Sequence, residues 1–395
     1  MQANAQPIYL DNQATTPVDP RVLDAMLPYF TKIFGNSASK THVYGNEALQ
    51  AVEISRNQIA KAINAKDQEI IFTSGATEAI NLAIKGLAFR ENLEKPHIIT
   101  IATEHKAVLD CFDRLHEAGV DTTILPVDAN GMLNLEHLQQ ALRSETRLVC
   151  AMAANNEIGV LHPLCEIGAL CRAKGIFFMT DATQALGKIP IDVQRMKIDL
   201  LAGSAHKLYG PKGIGFLYAR RSNPRVPIRA MIDGGGHEHG MRSGTLATPN
   251  IVGFARAVEL ARTEMSSEEK RVRKLRDRLE RLLLEGIPSA RVNGHPISRI
   301  SNNLNIELPG VPSEALMIAV KESVAISSGS ACTTAALLPS HVLEALGRNA
   351  EQIHSSIRFG IGRFTKPEEI ELAGEVVIQQ HTRLRAFQRR PIAQS

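Results

Sequence analysis

A hydroxyl, an imidazole and a lysine fall within four residues of one another in Gly203-Ser204-Ala205-His206-Lys207-Leu208-Tyr209-Gly210-Pro211-Lys212-Gly213. The run before them, 198–202, carries one charge and reads as a buried strand. The glycines and the proline after them force a turn. An ammonium at the end of a buried strand is costly unless it is paired or neutralised. A Schiff base solves that problem: the lysine loses its charge and holds an aldehyde cofactor. A solvated loop lysine is the plain alternative, so the rest of the chain must decide.

The elements that would position Lys207 repeat a pattern. Strands are expected over 69–73, 97–101, 122–126, 147–153, 176–180, 198–202 and 214–218. Helices are expected over 20–30, 47–63 and 167–174, and another carries Ile80, Ala83, Ile84 and Leu87 on one face. This alternation predicts an α/β fold, a mostly parallel sheet flanked by helices. Ligands of such sheets bind outside the carboxyl ends of the strands. Thr77, His105, Asn156, Asp181, Gln184, Ser204, His206 and Lys207 all follow strand ends.

Ser74-Gly75-Ala76-Thr77 joins a strand to a helix, and such a turn lets backbone N–H groups approach an anion. A tight turn without a ligand has the same composition. A buried aspartate such as Asp181 can pair with a protonated pyridine nitrogen. Aspartate, lysine and a Gly/Ser/Thr/His cradle together meet the needs of pyridoxal 5'-phosphate.

Composition removes other classes. The chain has 395 residues, 44% hydrophobic and 22% charged, with 45 basic against 41 acidic residues. That length favours two domains. A net charge of +4 does not argue for nucleic acid or a membrane surface. The five cysteines form no CxxC pair, so neither a disulfide framework nor a zinc site is expected. His237 and His239 share a glycine-rich loop without a third ligand in register, and no metal is assigned. No targeting signal or membrane-length apolar run is visible, which predicts a cytoplasmic protein.

A helix over 250–285 carries the chain onward to a strand at 303–308, a helix at 312–321 and a loop of small residues at 327–338. Cys332 lies in that loop. Cys111, Cys150, Cys165 and Cys171 lie in periodic segments, where free cysteine behaves as a small hydrophobe. An accessible loop cysteine is a candidate nucleophile.

The motifs Thr73-Ser74-Gly75-Ala76-Thr77-Glu78, Thr103-Glu104-His105-Lys106-Ala107-Val108, Asn155-Asn156-Glu157-Ile158-Gly159, Asp181-Ala182-Thr183-Gln184, His206-Lys207, Arg242-Ser243-Gly244-Thr245 and Ser328-Gly329-Ser330-Ala331-Cys332 occur in this order. Together, from about Ile8 to Arg385, the chain resembles the group I cysteine desulfurases, fold-type I pyridoxal phosphate enzymes of the class V aminotransferase family. The resemblance implies a large cofactor-binding domain over 18–260 and a smaller α+β domain from 1–17 and 261–395, which carries a mobile Cys332 loop. It implies that Lys207 holds the cofactor and takes the substrate α-proton, while His105 stacks on the ring and assists. Asp181 would pair with the ring nitrogen and Gln184 with the ring hydroxyl. Gly75, Ala76, Thr77, Ser204 and His206 would hold the phosphate, joined by Thr245 from the second subunit of a homodimer. Arg358 and Asn156 would hold the substrate carboxylate, a task that suits a planar guanidinium.

The implied reaction takes sulfur from L-cysteine, leaving L-alanine and a persulfide on Cys332. The acceptor would be an iron–sulfur scaffold or another sulfur-acceptor protein, with tRNA thiolation a further destination. His239 stands where many relatives carry arginine, and the chain ends soon after Arg385, where several bacterial relatives continue into a scaffold-docking tail. Another fold-type I enzyme (a selenocysteine lyase or an aminotransferase) and a catalytically silent scaffold for a sulfur acceptor are the alternatives.

Overall fold

The computed structural model describes residues 6–89, 96–328 and 339–388. Cys332 and its neighbours, 329–338, lie outside the described residues. The chain enters through β1 (Ile8–Tyr9), α1 (Pro20–Met26), α2 (Pro28–Thr31) and α3 (Val43–Ala62). The single helix expected over 20–30 is two pieces. Pro28 has no N–H to give the preceding turn and becomes the first residue of the second piece. The third helix starts earlier than its apolar period implies, because the His42 imidazole accepts the Gly45 N–H and caps it.

Next come β2 (Ile70–Thr73), α4 (Ala76–Ala88), β3 (His97–Ile101), α5 (Lys106–Glu117) and β4 (Asp121–Leu125). They lead to α6 (Leu135–Ala141), β5 (Thr146–Cys150), α7 (Leu164–Ala173), β6 (Phe177–Asp181), β7 (Leu200–Ser204) and β8 (Gly215–Ala219). The strands form one sheet in the order β2-β8-β7-β6-β5-β3-β4. All neighbours are parallel except β8, which runs antiparallel to both β2 and β7. That reversal brings the ends of β2 and β7 together, since Thr73 and Ser204 both pair with Gly215. Gly215 has to be glycine: a Cβ there would lie 2.6 Å from the Gly203 carbonyl oxygen and 2.6 Å from the Gly75 carbonyl carbon.

Each face of the sheet is covered. Phe72, Ile99, Val149, Phe178, Leu201 and Phe216 join one core with the first half of α8 (Thr248–Gly286). Ile71, Ile98, Leu148, Met179 and Leu200 join the other with α4 and α5. At 1.5 Å per residue, the 39 residues of α8 extend about 58 Å. Its second half therefore reaches a separate core, where Val272, Leu275, Leu279 and Leu283 pack.

That core draws on β9 (Arg291–Val292), β10 (Asn303–Glu307), α9 (Ser313–Val320), β11 (Val324–Ala325), β12 (Ser356–Gly360) and α12 (Pro367–Gln388), while α10 (His341–Ala345) and α11 (Ala350–His354) pack on Ile158 and Val160 in a smaller cluster. Strands β12, β10 and β9 form an antiparallel sheet in that order, and β1 pairs in parallel with β11. The N-terminal segment thus returns to the C-terminal third. From there it runs on, over Gln13 to Thr16, toward the turn that carries Lys207.

Candidate active site

A cavity of about 530 Å³ opens at the carboxyl ends of β2, β5, β6 and β7. Gly75, Ala76, Thr77, His105, Asn156, Asp181, Gln184, Ser204, His206, Lys207 and Arg358 all line it. Thr245 is exposed and does not line it. Its segment is tied nearby by Arg242, whose Nε donates to Glu78 Oε1 at 2.8 Å on the first turn of α4. Cys332 lies outside the described residues.

Lys207 closes the 3₁₀ turn Ala205–Lys207 directly after β7. Its Nζ donates to the carbonyls of Gln13 and Ala14, 2.7 Å each. These two carbonyls hold the amine at the wall of the cavity. Beside it, His206 Nδ1 meets Thr15 Oγ1 at 3.1 Å. Burial first, then the charges of Lys207, Lys212 and Lys188, lower the His206 pKa to about 4. The ring is therefore neutral near pH 7 and can both accept and donate.

Asp181 ends β6 and is 7% exposed. Its Oδ1 accepts the Thr183 N–H at 2.8 Å. Glu104 is the second carboxyl in this region and is fully enclosed. Its Oε1 accepts the Met152 N–H, and Oε2 has no partner among the described residues. Burial, with the Asp181 charge second, pushes the Glu104 carboxyl well above its usual range. Burial and the neighbouring Asp181 thus both favour the protonated form of Glu104.

His105 caps α5, and its Nδ1 accepts the Ala107 N–H at 3.1 Å. That bond fixes Nδ1 as the acceptor of the neutral ring, so Nε2 carries the proton. Arg358 stands on β12 and is fully buried. One guanidinium nitrogen, Nη1, donates to the Asn156 carbonyl and the other, Nη2, to Asp11 Oδ1, both at 2.9 Å.

Pyridoxal 5'-phosphate fits this donor set. Among the described residues no side chain caps α4, so the N–H groups of its first turn face the cavity wall formed by Gly75, Ala76 and Thr77. A Cβ on Gly75 would meet nothing within 4 Å, which shows the room left there. Ser204 and His206 line the same cavity as that turn, Lys207 supplies an amine, and Asp181 supplies a buried carboxyl group. Phosphate, aldehyde and pyridine nitrogen each find a matching group.

Gln13, Ala14, Thr15 and Lys188 escape a reading of the sequence by period. The first three sit in an irregular loop, and only its density of polar residues marks it. No group of three or more metal-binding side chains occurs among the described residues. No described helix is long and apolar enough to cross a membrane.

The aminotransferase class-V family model matches residues 8–372. The cysteine desulfurase IscS of Shewanella sp. (strain MR-4) is 54% identical over 381 residues, 96% of this chain and 94% of that protein. A solved NifS-like protein superposes with a TM-score of 0.89 at 35% identity, covering 96% of this chain and 100% of the other. SspA, solved in complex with cysteine, gives a TM-score of 0.80 at 36% identity, covering 91% and 100%.

Proposed function

This chain belongs to the aminotransferase class-V family, among its cysteine desulfurases, and from that premise we propose the roles its residues play. The protein is a pyridoxal phosphate enzyme that takes sulfur from L-cysteine, leaves L-alanine and passes the sulfur to an acceptor protein. One observation carries the assignment of residues: an amine, a buried carboxylate, an open helix N-terminus and a buried guanidinium line a single cavity.

Bound pyridoxal 5'-phosphate supplies an electron sink for the carbon that bears the substrate amino group. Gly75, Ala76, Thr77, Ser204 and His206 hold its phosphate, Asp181 its ring nitrogen, Gln184 its ring hydroxyl and Lys207 its aldehyde carbon. Arg358 and Asn156 orient the substrate carboxylate. Lys207 takes the α-proton at Nζ, and His105 assists proton transfer by giving its Nε2 proton where one is needed. The Cys332 thiolate then forms an S–S bond as the substrate C–S bond breaks. The bonding pair leaves with carbon, which takes a proton and becomes the methyl group of alanine. The described residues beside the segment that carries Cys332 support this role. Ser327 exchanges backbone hydrogen bonds with Arg358, and Ser340 Oγ donates to Glu157 Oε2.

A homodimer in which Thr245 completes the partner's phosphate site belongs to the proposal, supported by the exposure of Thr245 outside its own cavity. So do an iron–sulfur scaffold as acceptor and a cytoplasmic location, the latter supported by the four unpaired cysteines among the described residues. The separate apolar cores on α8 support a large domain over 18–260 and a small one over 1–17 and 261–395.

A single turnover with L-cysteine and no reductant tests the reading. Alanine is quantified, and the peptide carrying Cys332 is weighed by mass spectrometry. The expected result is one alanine for each added sulfur on Cys332. Alanine without that sulfur removes the cysteine from the reaction. A yellow protein that makes no alanine is not a desulfurase.

A further inference from the structure

Lys188 lies behind the cavity wall. Backbone bonds from the Ala185 and Leu186 N–H groups to the Ala182 carbonyl, and from Lys188 to Ala185, coil residues 182–189 as helical turns. Gln184 and Lys188 are therefore neighbours one turn apart. Lys188 Nζ donates to Gln184 Oε1 at 3.1 Å, and Gln184 Nε2 donates to the Gln13 carbonyl at 3.0 Å. That same carbonyl accepts from Lys207 Nζ. Gln184 lines the cavity and Lys188 does not.

The chemistry of these partners decides which way the Gln184 amide points. An ammonium only donates, so the atom facing it is the amide oxygen. A peptide carbonyl only accepts, so the atom facing Gln13 is the amide nitrogen. Two neighbours specify the same orientation, and one N–H of the amide remains for the cavity. Without Lys188, the oxygen loses the partner that holds it on the far side.

We infer that Lys188 is a positioning residue of the cofactor site, which locks the Gln184 amide so that it presents a donor, not an acceptor, to the ring oxygen of the cofactor. The inference rests on the pyridoxal phosphate reading above. Other charges face Lys188 from the elements around it. Lys207 lies on the turn after β7, and Glu268 approaches from α8, where its carboxylate also takes Arg363 Nε at 2.8 Å. Burial first and Lys207 second lower the Lys188 pKa to about 7, while Glu268 opposes them. In its protonated form, which Glu268 favours, Lys188 can only donate to Gln184.

The consequence is spectroscopic. A donor on the ring oxygen, with a cation behind it, disfavours a proton on the Lys207 nitrogen. Losing both lets that nitrogen keep its proton to higher pH. The test loads wild type, Lys188→Met, Lys188→Arg, Gln184→Leu and the Lys188→Met/Gln184→Leu double variant with pyridoxal 5'-phosphate and titrates the visible band. In Lys188→Met the midpoint should rise by about one pH unit, the scale of one lost charge-assisted contact. Lys188→Arg should titrate as wild type. Gln184→Leu should move the midpoint the same way, and Lys188→Met should add little to it.

A wild-type midpoint in Lys188→Met overturns the inference. So does a full additional shift in the double variant, which would make Lys188 a bare charge acting without Gln184. If Lys188→Met does not fold, Gln184→Leu decides alone, and an unshifted midpoint there is fatal. Wild-type protein that takes no colour overturns the cofactor reading, and this inference falls with it. Colour without the shift overturns this inference only.

Discussion

Asp11 and Arg358, at opposite ends of the chain, form an ion pair of 2.9 Å at the rim of the cavity, with the arginine fully buried. Breaking one partner of a buried ion pair costs about 3–5 kcal/mol. Asp11 is partly exposed, which places Asp11→Asn toward or below the lower end of that range. The pair also fixes the guanidinium plane, together with the Asn156 carbonyl. Asp11→Asn should therefore raise KM for cysteine more than it lowers kcat. Arg358→Lys keeps a charge but loses the planar fork, and should raise KM by about tenfold or more. Steady-state kinetics on both variants check this, with a urea melt for Asp11→Asn.

Glu104 tests whether the second carboxyl near Asp181 is neutral. Glu104→Gln keeps an acceptor for the Met152 N–H and carries no charge, so desulfurase activity should stay near wild type. Asp181→Asn, which removes the carboxyl group proposed to pair with the ring nitrogen, should lose most of it. The folded pKa of Glu104 is raised, so the stability it contributes is fully present below its unfolded pKa and is lost as pH rises through the folded one. Glu104→Gln carries no such loss. Chemical denaturation at several pH values should show the variant gaining on wild type as pH climbs above about 4.5, the ordinary range of a glutamate.

Much of the site is legible in the sequence because polar residues interrupt apolar runs at the ends of strands. Asp181, Ser204 and Lys207 stand out in this way, and the 97–101 strand matches its apolar run residue for residue. The antiparallel course of β8 is not legible, since a short apolar run has no direction. The loop from Asp11 to Thr16 has no period to read. Its contacts reach Lys207, His206 and Arg358 across nearly two hundred residues or more, and only folding creates them. Lys188 is hidden differently: its sequence neighbourhood is that of any turn, and its meaning lies in which atom of Gln184 it faces. The Pro28 break was visible as a residue, but the amphipathic pattern runs across it.

Gly215 separates packing from ligand binding. A Cβ there meets backbone atoms of Gly203 and Gly75 that cannot swing aside. Gly215→Ala should cost about 1–3 kcal/mol as an overpacked core site and should spread the ends of β2 and β7 that frame the phosphate turn. Gly75→Ala is the contrasting change. Its backbone is extended, at φ 161, and its added methyl meets no protein atom. Stability should stay within about 0.5 kcal/mol of wild type, the usual scatter of unstrained changes. Both variants should bind pyridoxal 5'-phosphate more weakly. Titrating the cofactor into apo-protein, alongside thermal melts, separates the two effects.

His162 should set part of the acid limit of the fold. It is 6% exposed, and neither ring nitrogen has a partner among the described residues. Burial lowers its pKa to about 4, against a weak opposing pull from Asp128. The unfolded chain, with an ordinary imidazole near 6.5, therefore binds a proton that the folded chain refuses between those values. The stability His162 contributes is fully present above about pH 6.5 and is lost as pH falls toward 4. Across the whole window that loss is about 3 kcal/mol for one proton. His206, also lowered to about 4, loses stability in the same window and in the same direction. His162→Leu removes one of these histidine titrations, which His97 and His381 share in direction, and an unpaired buried polar group with it. Its melting temperature should fall less steeply than that of wild type between pH 6.5 and 4, and the two curves should run parallel above pH 7. Curves that stay parallel through the acid window would mean that the imidazole is protonated inside the fold or already solvated there.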